Sequence, residues 1–134
     1  MVEFSEKEVS ELYEWYSNLE NRFRIIADII PFTDREDLRK FSSPRLVPLL
    51  VEAAAIIDSI LRSLFPDKAQ RPKGNVITKR GANINDYYRI LEEDLRLSQT
   101  SSLVLASPPF ILVPFLKWSV TKPPRWWTAY NRLK

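Results

Sequence analysis

The stretch from Pro48 to Phe65 constrains this chain more than any other. Leu49, Leu50, Ala53, Ala54, Ile56, Ile57, Ile60, Leu61 and Leu64 cover well over half the circumference of a helix. A helix that is apolar on several sides must be covered on several sides, so this segment is expected to be the central helix of a core. A chain of 134 residues suits one such core, and a single helical domain over 1–134 is predicted. Glu52, Asp58 and Arg62 mark the polar edge of the helix. Asp58 and Arg62 stand four apart, as an ion pair on one helix face requires. That makes Asp58 a structural carboxylate rather than a site residue.

Amphipathic segments flank this helix. Ser5 and Glu8 have capping-box spacing, with Phe4 and Val9 at the staple positions. Leu12, Trp15/Tyr16, Leu19, Phe23, Ile26 and Ile30 then recur every three or four residues. A helix from about Glu6 to Ile29 follows, ended by Pro31. Thr33 and Glu36 repeat the capping pattern for a short helix reaching Phe41. Ser43-Pro44 restarts the chain, and Pro48 moves the expected regular start of the central helix close to itself. Downstream, Ile84, Tyr87/Tyr88, Leu91 and Leu95 stripe a helix over about 85–97, capped by Asn83 or Asn85. Glu92, Glu93 and Asp94 are read as its solvated face. Residues 66–81 form a loop in which Val76-Ile77-Thr78 has strand character. Residues 99–122 are irregular and extended, with β-branched and aromatic residues between prolines. Pro123-Pro124 opens a last helix, expected to be cut short because no C-cap glycine or polar stop follows. With only two glycines against ten prolines, helices separated by proline breaks are favoured over a turn-rich sandwich, and the predicted class is all-α.

Several chemistries are excluded by residue type. The chain has neither Cys nor His, which removes thiolate nucleophiles, Ser-His-Asp arrangements and structural zinc. No Gly-rich phosphate loop occurs. No cofactor or metal is expected, and catalysis is disfavoured. The N-terminus lacks the apolar core of a signal peptide. The longest apolar run, Leu103 to Val120, is interrupted by Pro108, Pro109, Pro114 and Lys117, which argues against a membrane helix. A cytoplasmic protein with no membrane partner is the expectation.

Charge is unevenly spread. Residues 1–65 carry 8 basic and 12 acidic side chains, while residues 66–134 carry 12 basic and 5 acidic. The basic half either meets an anionic partner or attracts the acidic half within one domain. Lys68, Arg71, Lys73, Lys79 and Arg80 crowd the 66–81 loop, and Arg125 and Arg132 lie in the last helix. These seven are the candidate nucleic-acid contacts. Near the C-terminus cations alternate with aromatics, a pattern that binds single strands by phosphate contact and base stacking. It is also the pattern of a core with a charged rim. On helical spacing Trp126, Tyr130 and Leu133 share the core face, leaving Trp118, Trp127 and Asn131 as interface candidates.

The segment Pro124-Arg125-Trp126-Trp127-Thr128-Ala129-Tyr130-Asn131-Arg132-Leu133-Lys134 resembles the P-x-W-W-x-A-Y-N-x-x-K segment of uncharacterised bacterial helical proteins in the HEPN-like group. The helix Glu52–Phe65, the Asn83–Tyr88 helix start and Pro114-Phe115 followed by Trp118 extend the likeness over about 50–134. The resemblance implies an up-and-down helical bundle, often dimeric, in a group whose active members cleave RNA with an Arg-x4-6-His motif. That motif is absent here. The expected function is therefore association, chiefly with a second copy or a cognate protein, by a catalytically incomplete domain. RNA or DNA binding is the alternative, as is, in a longer form, a HEPN-type ribonuclease of a toxin–antitoxin or defence system.

Overall fold

The computed structural model describes residues 4–28, 44–105 and 108–133. The short helix predicted over 33–41 and the stop at Pro31 fall outside them.

Helix α1 runs Glu6–Ala27. Its start is the capping box predicted from sequence: the Glu8 amide donates to Ser5 Oγ at 3.3 Å, and the Ser5 amide donates to the Glu8 carboxylate at 2.9 Å. These bonds hold the Glu8 carboxyl below its ordinary range. Asp28 is the C-cap. Helix α2 spans Leu46–Leu64 and begins two residues before Pro48. Pro48 then occupies the third helical position, where an amide has no intrahelical partner to lose. Arg22 of α1 pairs with Glu52 of α2, and Trp15 and Glu8 lie beside Ser59 and Ser63. The two helices therefore run antiparallel.

The all-α expectation is overturned by two antiparallel hairpins, which make the fold mixed α/β. In the first, β1 (Lys68–Gln70) pairs with β2 (Val76–Thr78) in the register Lys68↔Thr78, Ala69↔Ile77 and Gln70↔Val76. Gly74, at φ +80°, permits the turn, which closes with Gly74 N–H donating to the Arg71 carbonyl at 2.9 Å. Ala69 and Ile77 face the core while their neighbours face water. One turn of 3-10 helix follows at Lys79–Gly81. Helix α3 spans Ile84–Leu95. The second hairpin joins β3 (Ser102–Val104) to β4 (Phe110–Leu112), with Ser102↔Leu112, Leu103↔Ile111 and Val104↔Phe110 opposed. It occupies part of the segment expected to be irregular. Helix α4 spans Arg125–Leu133.

The core gathers around the C-terminal half of α2, as the apolar run required. Ala54, Leu61 and Phe65 form one buried cluster with Ile77, Ile84, Tyr87, Leu91, Phe115, Trp118, Trp127 and Tyr130. An unbroken series of ring contacts, at centroid distances of 5.0–5.6 Å, links Tyr88, Trp118, Phe115, Trp126, Trp127 and Tyr130. It is this packing that holds a nine-residue α4, too short to be stable alone. Trp127, not Trp126, is its more deeply buried tryptophan. The helix leaves Pro124, itself buried, whose carbonyl accepts from the Trp127 amide. That entry turns the Trp127/Tyr130 pair inward and leaves Leu133 exposed.

Candidate association surface and the basic residues

Two polar assemblies tie the first hairpin to the helices, and both draw on the candidate cations. Asp86 is 1% exposed. Its carboxylate accepts from Arg71 Nε at 3.0 Å and Arg71 Nη2 at 2.7 Å, a two-pronged contact. It also accepts from the Asn83 amide at 3.0 Å, while Asn83 Oδ1 caps the amides of Asn85 and Asp86. Arg89 adds a longer contact at 3.8 Å. The Arg71 guanidinium, aided by the Asn83 amide and the neighbouring positive charges, outweighs burial and holds the Asp86 carboxyl below the usual carboxylate range. Arg71 is thus committed to the fold.

The second assembly sits at the end of α2. The Tyr87 hydroxyl donates to Asp58 Oδ1 at 3.1 Å, and Arg62 donates to Asp58 Oδ2 at 3.2 Å. Arg62 also donates to the Arg80 carbonyl at 3.1 Å. Lys79 Nζ donates to the Ser63 carbonyl at 2.8 Å, a cation at the negative end of a helix. Burial, reinforced by the Asp58 carboxylate, pushes the Tyr87 hydroxyl above its ordinary range and keeps it a donor. Asp58 is accordingly a structural ion-pair partner, as its spacing from Arg62 predicts.

The remaining candidates divide by exposure. Lys68 on β1, Lys73 in the hairpin turn and Arg80 are exposed, as are Arg125 and Arg132 on α4. Trp118 and Trp127 are buried within the chain's own core, whereas Asn131 is exposed. The acidic run at the end of α3 is also split. Glu92 is half-buried and accepts from the Ser98 amide at 3.0 Å and from its hydroxyl, while Glu93 and Asp94 face solvent. Among the described residues no group of three or more His, Cys, Asp or Glu is placed to hold a metal ion.

Sequence reasoning missed a different surface. No residue of α1 is buried, and its stripe is only half-covered by α2. Along one flank of the α1–α2 seam runs an apolar groove of about 390 Å³, walled by Tyr16, Leu19 and Phe23 on one side and Leu46, Leu49, Leu50 and Ala53 on the other. Among the described residues its one charged lining residue, Glu20, is paired with Arg24 at 3.1 Å. Tyr13, 68% exposed, and Val9 continue the apolar flank toward the start of α1. The signal for this surface lay beside the stripe, where Val9 and Tyr13 add apolar area beyond the width that one partner helix covers.

No protein-family model matches the chain, and neither a curated protein nor a solved structure is significantly similar to it. No described helix is long and apolar enough to cross a membrane.

Proposed function

We propose that this protein is a self-association domain in which the α1–α2 seam of one copy packs on that of another. The supporting observation is the open apolar groove beside Tyr16, Leu19, Phe23, Leu49 and Leu50, with Tyr13 and Val9 exposed next to it. Two antiparallel helices offering one apolar flank are half of a four-helix arrangement, and a two-fold axis supplies the other half from an identical surface. Among the described residues the groove's one charged lining residue, Glu20, is already paired, so apposing those residues to themselves brings few like charges together. The aromatic C-terminal end, which the sequence favoured for this role, uses Trp118 and Trp127 internally. The resemblance of 124–134 to the HEPN-like group, whose members are often dimeric, supports the same reading, and the charged N-terminus with its lack of an apolar signal core supports a cytoplasmic setting. Nucleic-acid binding is the weaker reading, because Arg71 and Lys79 are engaged within the fold.

Sedimentation of the full chain over a range of concentrations tests the proposal. A reversible dimer is expected, and Tyr13→Glu with Tyr16→Glu should convert it to monomer without loss of helical signal. A wild-type chain that stays monomeric at the highest concentration overturns the reading.

A further inference from the structure

Helix α1 carries a second seam beside the stripe that meets α2. Val9, Tyr13, Tyr16, Glu20, Phe23 and Ala27 are spaced alternately four and three residues apart. At 3.6 residues per turn, these positions fall within roughly 80° of one another on the helix surface. A repeat of this kind is the spacing by which one helix packs along another. Val9, Tyr13 and Tyr16 are 52%, 68% and 51% exposed, so the described residues leave the first half of the seam open. Tyr16, Glu20 and Phe23 also wall the groove against α2, which makes seam and groove one continuous surface. Charge is ordered along the same helix. From Glu6 to Glu14 it holds Glu6, Glu8, Glu11 and Glu14 against Lys7, and from Trp15 to Ala27 it holds Arg22 and Arg24 against Glu20. Glu6 and Arg24 are exposed on the outer flank of the seam, one near each end of the helix and roughly 27 Å apart along its axis.

An acidic half and a basic half on one helix are complementary to the same helix reversed. We propose, resting on the self-association reading, that the second copy lays its own α1 antiparallel on this seam, with the two-fold axis crossing between Tyr13 and Tyr16. Tyr13 then meets Tyr16 of the second copy, and Val9 meets Glu20 of the second copy. Glu6 comes beside Arg24 of the second copy, so that Arg24 lies between its own Glu20, at 3.1 Å, and the other chain's Glu6. The two-fold makes each of these contacts twice. A parallel arrangement sets Glu6 against Glu6, Glu20 against Glu20 and Arg24 against Arg24, and aligns the two helix dipoles. The tyrosines at the centre supply affinity, as large buried rings do. Glu6, Glu20 and Arg24 supply direction and register, which an apolar groove alone leaves open.

Two experiments on the full chain test direction separately from association. The chain has no cysteine, so Val9→Cys and Glu20→Cys variants each carry a single thiol. Under mild oxidation a mixture of the two is expected to give a disulfide-linked dimer. Val9→Cys alone is not, because antiparallel packing holds its two thiols about 16 Å apart along the axis, well beyond disulfide reach. In sedimentation, Glu6→Arg or Arg24→Glu alone should weaken the dimer about tenfold, since two pairs turn from attraction to repulsion. Mixing those two variants should restore it, because the mixed dimer regains both pairs. Circular dichroism checks that each variant remains helical. Val9→Cys linking to itself, or single reversals that leave the dimer unchanged, overturns the antiparallel seam while self-association stands. The same holds if the mixed reversals fail to recover the dimer. A wild-type chain that stays monomeric overturns both readings and leaves the seam to a different protein.

Discussion

Helix α1 and helix α2 are similar in length and both are striped with large apolar residues, yet they sit differently in the molecule. Leu49, Ala54, Ile56 and Leu61 of α2 are buried, whereas α1 buries no residue at all. The difference lies in the neighbours. The C-terminal half of α2 touches α3, α4 and the turn after β2, while among the described residues α1 packs chiefly on α2. An apolar stripe therefore states how much cover a helix can use, and the rest of the chain decides how much it receives. Where cover runs short, as along Tyr13 and Tyr16, the stripe becomes a surface.

The comparison breaks or sharpens with substitutions in the two regions. Trp118→Ala or Tyr87→Ala removes a ring at the centre of the core and should cost about 3–5 kcal/mol in denaturant unfolding, whereas Trp15→Ala on α1 should cost about 1 kcal/mol or less. Equal losses would erase the distinction. Arg71→Ala leaves the buried Asp86 carboxylate with only the Asn83 amide and the more distant Arg89, and should lower the unfolding midpoint, though less than Trp118→Ala does, because uncompensated buried charge is expensive. The same pair makes stability depend on pH. Asp86 has a lower pKa folded than unfolded, so its contribution is complete above the unfolded carboxylate value of about 4 and fades as pH falls through the lower folded value. Acid titration of the unfolding midpoint should show this loss in wild type and a flatter profile in Asp86→Asn. Tyr87→Phe, which leaves Asp58 with Arg62 alone, should cost about 1 kcal/mol. Lys7→Ala, at a fully hydrated pair with Glu11, should change stability by no more than about 0.5 kcal/mol.

Much of the helical frame was legible in the sequence. Ser5/Glu8 marked the start of α1, the 49–64 run gave the central helix, and Asn83 capped α3 as its residue type favours. The hairpins were not legible as such. Their strands hold three residues each, below the length at which alternation separates from chance, and only Val76-Ile77-Thr78 stood out. The candidate cations were harder still. Arg71 and Lys73 look alike in sequence, and only the arrival of Asp86 from fifteen positions downstream distinguishes a structural cation from an exposed one. Trp126 and Trp127 posed the same difficulty on a smaller scale. Adjacent positions on a short helix differ by one step of rotation, and the entry through Pro124 selected Trp127.

One carboxylate carries an unusual share of the architecture. Asp86 closes the cap at the start of α3 and, through Arg71, also fastens the first hairpin to that helix. Nucleation of α3 and docking of β1–β2 consequently draw on the same group. Amides at the N-terminus of α3 and in the hairpin should then exchange with solvent in a single opening event, so that neither element melts while the other persists.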